Sequence, residues 1–194
     1  MTKLIWDLTS PDFIAGSLAR VIGEPTTEIY DGSNTIAFNG SSDGLLLPVN
    51  PLQGSGRFSC TVECFPKAGG DHEQRFLHAG SVHGDRALLE LRTSSDGGWY
   101  LDVYLAMNGW SCALRDPTKV HAMERWYSVA IAFDGRMLSG LVGDAVELCR
   151  ESELPLNSGR MTGENCSIGM RQNRTSFFRG GIRRIIWHYS DQRR

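Results

Sequence analysis

Nowhere does this chain of 194 residues come near the ~20 consecutive apolar residues that a membrane-spanning helix needs. Positive charge is in no surplus either. Twenty Lys and Arg stand against 22 Asp and Glu, a formal net charge of −2. Nucleic acid requires a basic field, so neither it nor a membrane is an expected partner. The densest cations, Arg179, Arg183, Arg184, Arg193 and Arg194, read as a solvated face and tail. Cysteine is sparse and odd in number, at five, which fits a reducing compartment and predicts five free thiols. Cys60 and Cys64 have the look of a metal half-site. Their segment alternates like a strand, which sets the sulfurs ~13 Å apart, too far for one zinc or one disulfide.

The opening MTKLIWDLTSPDFIAG has neither a long apolar run nor a small-residue cleavage site. As read, the protein is cytoplasmic; it is extracytoplasmic if a native leader precedes this start. Asn-x-Ser/Thr triplets at Asn39, Asn165 and Asn173 are then chance matches. Also missing are the HExxH zinc motif, a phosphate-binding loop, a dinucleotide glycine pattern and a nucleophile elbow. The histidines are scattered at 72, 78, 83, 121 and 188, so no metal and no cofactor is expected. A structural calcium on Asp31, Asp43 or Asp134 is the alternative to plain turn residues, which are preferred.

What the chain does have is period-two alternation, broken by Gly, Asp, Asn and Ser clusters. Strands are predicted at Lys3–Leu8, Thr35–Phe38, Gly44–Leu47, Phe58–Phe65, Glu73–Ala79, Ala87–Arg92, Trp99–Ala106 and Trp110–Leu114. Others follow at Trp126–Phe133, Met137–Val142, Ala145–Leu148, Cys166–Met170 and Gly181–Tyr189. Asp134-Gly135 and Gly143-Asp144 supply the positive-φ residues of tight hairpins. Only Ser10–Ile22 suggests a helix, with Ser10 as cap and Pro11 in the first turn. Many short strands with regular turns imply an all-β, two-sheet antiparallel β-sandwich forming one domain over 1–194. Its amphipathic first and last strands are placed to complete the sandwich.

Several segments, in order, resemble the laminin G-like branch of the concanavalin A-like lectin/glucanase superfamily. Asn34-Thr-Ile-Ala-Phe-Asn-Gly-Ser-Ser-Asp-Gly-Leu-Leu-Leu-Pro48 is similar to its F-x-G-x-x-D hairpin. Phe58-Ser-Cys-Thr-Val-Glu-Cys-Phe-Pro66 resembles its F-T-x-E strand, and Trp126-Tyr-Ser-Val-Ala-Ile-Ala-Phe-Asp-Gly135 its W-H-H-V-A strand. Val142-Gly143-Asp144 stands at the V-N-G turn, and Ser167-Ile-Gly169 with Phe178-Arg-Gly-Gly-Ile-Arg-Arg-Ile185 at its I-G … F-x-G-x-I close. The resemblance covers about residues 30–190 and implies a jelly roll that contacts carbohydrate. Two departures limit it. The E-x-D-x-x-E strand of retaining glucanases is missing, and Arg183-Arg184 replaces the family's Asp-Glu.

Alternation sorts the strand residues onto two faces. Glu90 and Arg92 lie opposite Ala87, Leu89 and Leu91; Tyr100, Asp102 and Tyr104 lie opposite Trp99, Leu101 and Val103. Glu63 faces away from Val62, while Arg171 and Asn173 share a face. On Glu73–Ala79, where Phe76 and Leu77 both read as core, Gln74 and His78 are preferred for the cleft, with Arg75 as their partner. Sugars take guanidinium and carboxylate hydrogen bonds on their hydroxyls and aromatic rings on their C–H faces. The leading expectation is therefore carbohydrate binding, acidic glycans included, on the polar concave face of one sheet. Ligand contacts are assigned to Glu63, Gln74, Arg75, Tyr100, Asp102, Arg171 and Asn173. Trp110 and Trp126 are further platforms, although single aromatics more often pack in a core.

Two alternatives stand beside it. Glu63, Glu90 and Asp102 supply the paired carboxylates of a glycoside hydrolase. Glu90-Leu91-Arg92 resembles the end of the R-S/T-E-L-R strand of jelly-roll alginate lyases, whose Q-I/V-H and Y-x-K-x-G strands are not found. An enzyme of either kind places chemistry on His78, Glu90, Arg92 and Tyr104. The last alternative is a protein-interaction module, marked by an exposed apolar patch.

Overall fold

Alternating residues become strands because one face of each can be buried while the other stays wet. The computed structural model describes residues 1–154 and 159–190, so Arg193 and Arg194 lie outside the described residues. In chain order the strands are β1 (Thr2–Asp7), β2 (Phe13–Ile14), β3 (Ser17–Leu18), β4 (Arg20–Ile22), β5 (Thr26–Tyr30) and β6 (Ser33–Asn39). Then come β7 (Gly44–Leu47), β8 (Phe58–Pro66), β9 (Glu73–Gly80), β10 (Arg86–Thr93), β11 (Trp99–Met107) and β12 (Trp110–Arg115). The last are β13 (Tyr127–Phe133), β14 (Met137–Val142), β15 (Ala145–Glu151), β16 (Cys166–Ile168) and β17 (Arg179–Tyr189).

The first sheet runs β15-β14-β13-β8-β17-β6-β5, and the second β12-β11-β10-β9-β16-β7-β4. All the strand pairings are antiparallel. The long β17 pairs β8 on one side; on the other it pairs β6 through Ile182 and β1 from Arg184 to Tyr189. The first and last strands are thereby joined in one sheet. Strands β13 and β14 of the first sheet lie over β10 and β11 of the second. Where β14 packs on β11 the chain has Gly140; a Cβ there would press on Leu101 and Val103 of the facing sheet and on Leu148 beside it, at 3.1–3.2 Å.

The core between the sheets is rich in aromatics. Trp6 meets Trp187 edge-on at 4.9 Å, and Phe76 meets Phe178 at 5.0 Å and Trp99 at 6.2 Å. All five cysteines are free, and Cys60, Cys64, Cys112 and Cys166 are buried.

The helix expected at Ser10–Ile22 is not formed. Ala15 (φ 51°) and Gly16 (φ 82°) make a left-handed turn that folds the segment into the β2–β3 hairpin, followed by β4. Ile14 is buried while Leu18 stays 74% exposed, so the irregular apolar spacing serves a hairpin rather than a helical stripe. Strand β5 is an edge strand exposed along most of its length and so carries no alternation to read.

Candidate functional site

Phe76 decides the layout of the site. In the pairing of β9 with β10, Leu89 faces Leu77 but Glu90 faces Arg75, so Phe76 is the extra residue of a β-bulge. Phe76 and Leu77 then both enter the core. Arg75 and His78, which plain alternation would set on opposite faces, end on the same outer face with Glu73. The preferred pairing of Gln74 with His78 is corrected on this point. Gln74 turns inward, where its amide donates to the Asp71 carbonyl at 2.8 Å and accepts from the Arg179 N–H at 2.8 Å.

On the outer face of β9 to β12 the structure gathers Arg75, Glu90, Arg92, Asp102, Tyr104 and Arg171 around a basin of about 200 Å³. Glu73, Arg86 and Arg115 join them. Arg86 and Arg115 stand at the ends of their strands, outside the predicted spans, although they share parity with Glu90 and Ala113. Arg75 is 2% exposed and is paired with both Glu90 and Glu73, the latter at 3.0 Å. Arg92 bridges Glu73 at 2.9 Å and Asp102 at 2.5 Å, and Arg115 stands 3.6 Å from Asp102. Arg86 lies over the ring of Tyr104 and donates to its hydroxyl at 3.1 Å.

Five guanidinium groups thus meet three carboxylates. Two of Arg75's nitrogens, Nε and Nη1, are buried with no hydrogen-bond partner among the described residues, as is Nε of Arg171. Burial pushes the Glu90 carboxyl up, more than Arg75 lowers it. Burial also raises Glu73, but Arg75, the Ser176 hydroxyl and Arg92 together hold it below the usual range. Burial opposes the charge on Arg92, which Asp102 and Glu73 nevertheless strengthen.

The other expected residues lie elsewhere. Glu63 is on β8 in the first sheet, where Arg183 donates to it at 2.7 Å and stacks over Trp126 at 4.4 Å. Arg183 is the extra residue of a bulge in β17, which is how the departure from Asp-Glu becomes a cross-link of the first sheet. Asn173 is exposed in a loop and accepts from Thr175 at 3.0 Å. Tyr100 shares the face of Asp102 but is 8% exposed and lies outside the basin lining. Trp110 stacks inward on Phe133. Asp43 accepts backbone N–H groups of Glu24 and Asn39, and Asp134 those of Arg136 and Met137.

His78 is fully buried beneath the loop that carries Arg171 and Gln172. Its Nε2 lies 3.0 Å from the Ser81 carbonyl and so carries the proton, while Nδ1 accepts from the Gln172 N–H at 3.4 Å. Burial, with Arg75, Arg171 and Arg86 nearby, pushes its pKa down to about 4 from the usual 6.5. The unfolded chain therefore binds more protons than the folded one between these values, and stability rises with pH across that window. As pH falls from 6.5 to 4 the ring should cost up to ~3 kcal/mol. Thermal melts of wild type and His78→Gln should differ in slope over that window, the wild type falling faster. Parallel curves would remove this role.

No sequence-family profile matches the chain, and no curated protein is similar to it in sequence. Solved structures are similar in shape. Domain 4 of AbnA, a GH43 extracellular arabinanase of Geobacillus stearothermophilus in complex with arabinotriose, has a TM-score of 0.62 at 16% identity, over 97% of this chain and 82% of that one. The CBM40 of Ruminococcus gnavus IT-sialidase, bound to α2,6-sialyllactose, has 0.56 at 12%, over 72% and 80%. Mouse laminin α1 domains LG4-5 have 0.58 at 14%, over 92% and 44%. The chain also spans a quarter of the length of a tailspike protein from an Escherichia coli O157:H7 bacteriophage that it resembles. At such identities the likeness shows the fold: a concanavalin A-like jelly roll, with laminin G domains among its neighbours.

Proposed function

We propose that the protein binds carbohydrate on the outer face of its second sheet and holds an acidic sugar in the arginine-rich basin. The observation that carries this is the set of buried guanidinium N–H groups on Arg75 and Arg171 with no partner among the described residues. Such donors are costly to leave unmade, and a carboxylate or sulfate is the acceptor that suits them best. The surplus of cations over acids favours the same sign of ligand. Two of the similar structures hold glycans, and one of those is sialylated.

Binding is favoured over chemistry by the state of the titratable groups. Glu73, Glu90 and Asp102 are each committed to guanidinium partners, and both ring nitrogens of the buried His78 are occupied. The three carboxylates act here as counter-charges that hold the arginines in position.

The test is a glycan array with neutral, uronic, sialylated and sulfated members, followed by calorimetry on the retained glycans. Acidic members should be retained ahead of neutral ones. Arg171→Ala should weaken binding by ~1.5–3 kcal/mol, the range for a charge-assisted hydrogen bond. Its backbone bond to Thr175 survives the change, so unfolding should shift by less than ~1 kcal/mol. An empty array, or unchanged affinity in Arg171→Ala, would defeat the proposal.

A further inference from the structure

A second cavity of about 420 Å³ opens beside β4 and β7, lined by Leu18, Leu46, Pro48 and Val82, with Arg20 and Gln172 at its polar edge. Pairing registers connect it to the basin. Arg20 faces Leu46, Leu46 faces Ser167, Ser167 faces His78, His78 faces Leu88, and Leu88 faces Tyr104. This is one continuous row on the outer face, running across the strands. Arg20 and Leu46 line the apolar cavity; Leu88 and Tyr104 line the arginine basin. Between them Ser167 and His78 are fully covered. Successive residues of the covering loop serve the two cavities, Arg171 the basin and Gln172 the apolar one. The Gln172 amide donates to the Gly80 carbonyl at 2.7 Å, which ties the partition to the sheet below.

We infer that the apolar cavity is a distal subsite of the same glycan site, and that the ligand is an acidic oligosaccharide running across the strands. This rests on the proposed function above. The basin is smaller than the usual 300–1,000 Å³ of small-molecule sites and suits one charged sugar, whereas the apolar cavity lies within that range. From Leu88 to Leu46 is three strand spacings, ~14 Å, beyond the reach of a single sugar held in the basin. Leu46 and Pro48 offer an apolar floor for the C–H face or an acyl group of a distal residue. Arg20, exposed at the edge and with no ion pair among the described residues, suits a second anionic group.

Two ladders of probes test it: oligogalacturonates and α2,8-linked oligosialic acids, each as dimer, tetramer and hexamer, titrated calorimetrically into wild type, Leu46→Ser, Arg20→Ala and Arg171→Ala. In at least one ladder affinity should rise tenfold or more from dimer to hexamer. Leu46→Ser and Arg20→Ala should each remove most of that gain while dimer affinity stays within twofold. Arg171→Ala should weaken every length. Affinity independent of length, or a gain untouched by Leu46→Ser and Arg20→Ala, overturns the distal subsite and leaves the basin standing. Failure of every probe to bind wild type overturns both.

Discussion

Arg75→Met should destabilise the protein by about 3–5 kcal/mol at neutral pH, the cost of breaking a buried ion pair from one side. Arg75 and Glu90 are 2% and 3% exposed, so methionine leaves the Glu90 carboxylate in a dry site without its main counter-charge. Burial already pushes that carboxyl up, and the variant will push it further. The loss should therefore shrink as pH falls and Glu90 takes up a proton. Adding Glu90→Leu should restore most of the stability, because two apolar groups of similar volume replace the pair. Urea unfolding of the three proteins at pH 7 and pH 5 reads all of this. A single variant within 1 kcal/mol of wild type would mean that the pair is solvated rather than buried.

Phe76→Ala should cost a similar ~3–5 kcal/mol, for a different reason. The ring is fully buried between Trp99 and Phe178, and alanine leaves a cavity that two rigid aromatics cannot collapse into. Phe76 is also the extra residue of the β9 bulge, held inward by that packing. With the ring gone, Leu77 is left as the large core side chain of that consecutive pair. Urea unfolding should show the loss, and calorimetry with any glycan the wild type retains should show weakened binding in the folded fraction. A change below 1 kcal/mol would show that backbone pairing alone maintains the bulge.

Much of the layout was legible because alternation is a local property. Leu89, Leu91, Leu101 and Val103 read as core beside Glu90, Arg92, Asp102 and Tyr104 as surface, and the sheet keeps that division. The β2–β3 hairpin was not legible, since a two-residue strand is too short to carry a period. Nor was strand β5, an edge whose two faces are both wet.

The sequence by itself determined most of the long strands and the two-sheet antiparallel sandwich they build, because a period of two and turn-forming glycines act over a few residues. Tertiary structure alone decided which polar residues meet. Glu63 and Glu90 share a face type but belong to different sheets, since β8 and β10 pair with different neighbours. Arg75 and His78 share a face through one bulge, which the consecutive apolar pair Phe76-Leu77 marks but which only the pairing with β10 places. His78 is closed off by a loop about 90 residues further along the chain, drawn over it by the pairing of β16 with β9. Registers between distant strands are set by how the whole core packs, and the arginine basin exists only once that packing is complete.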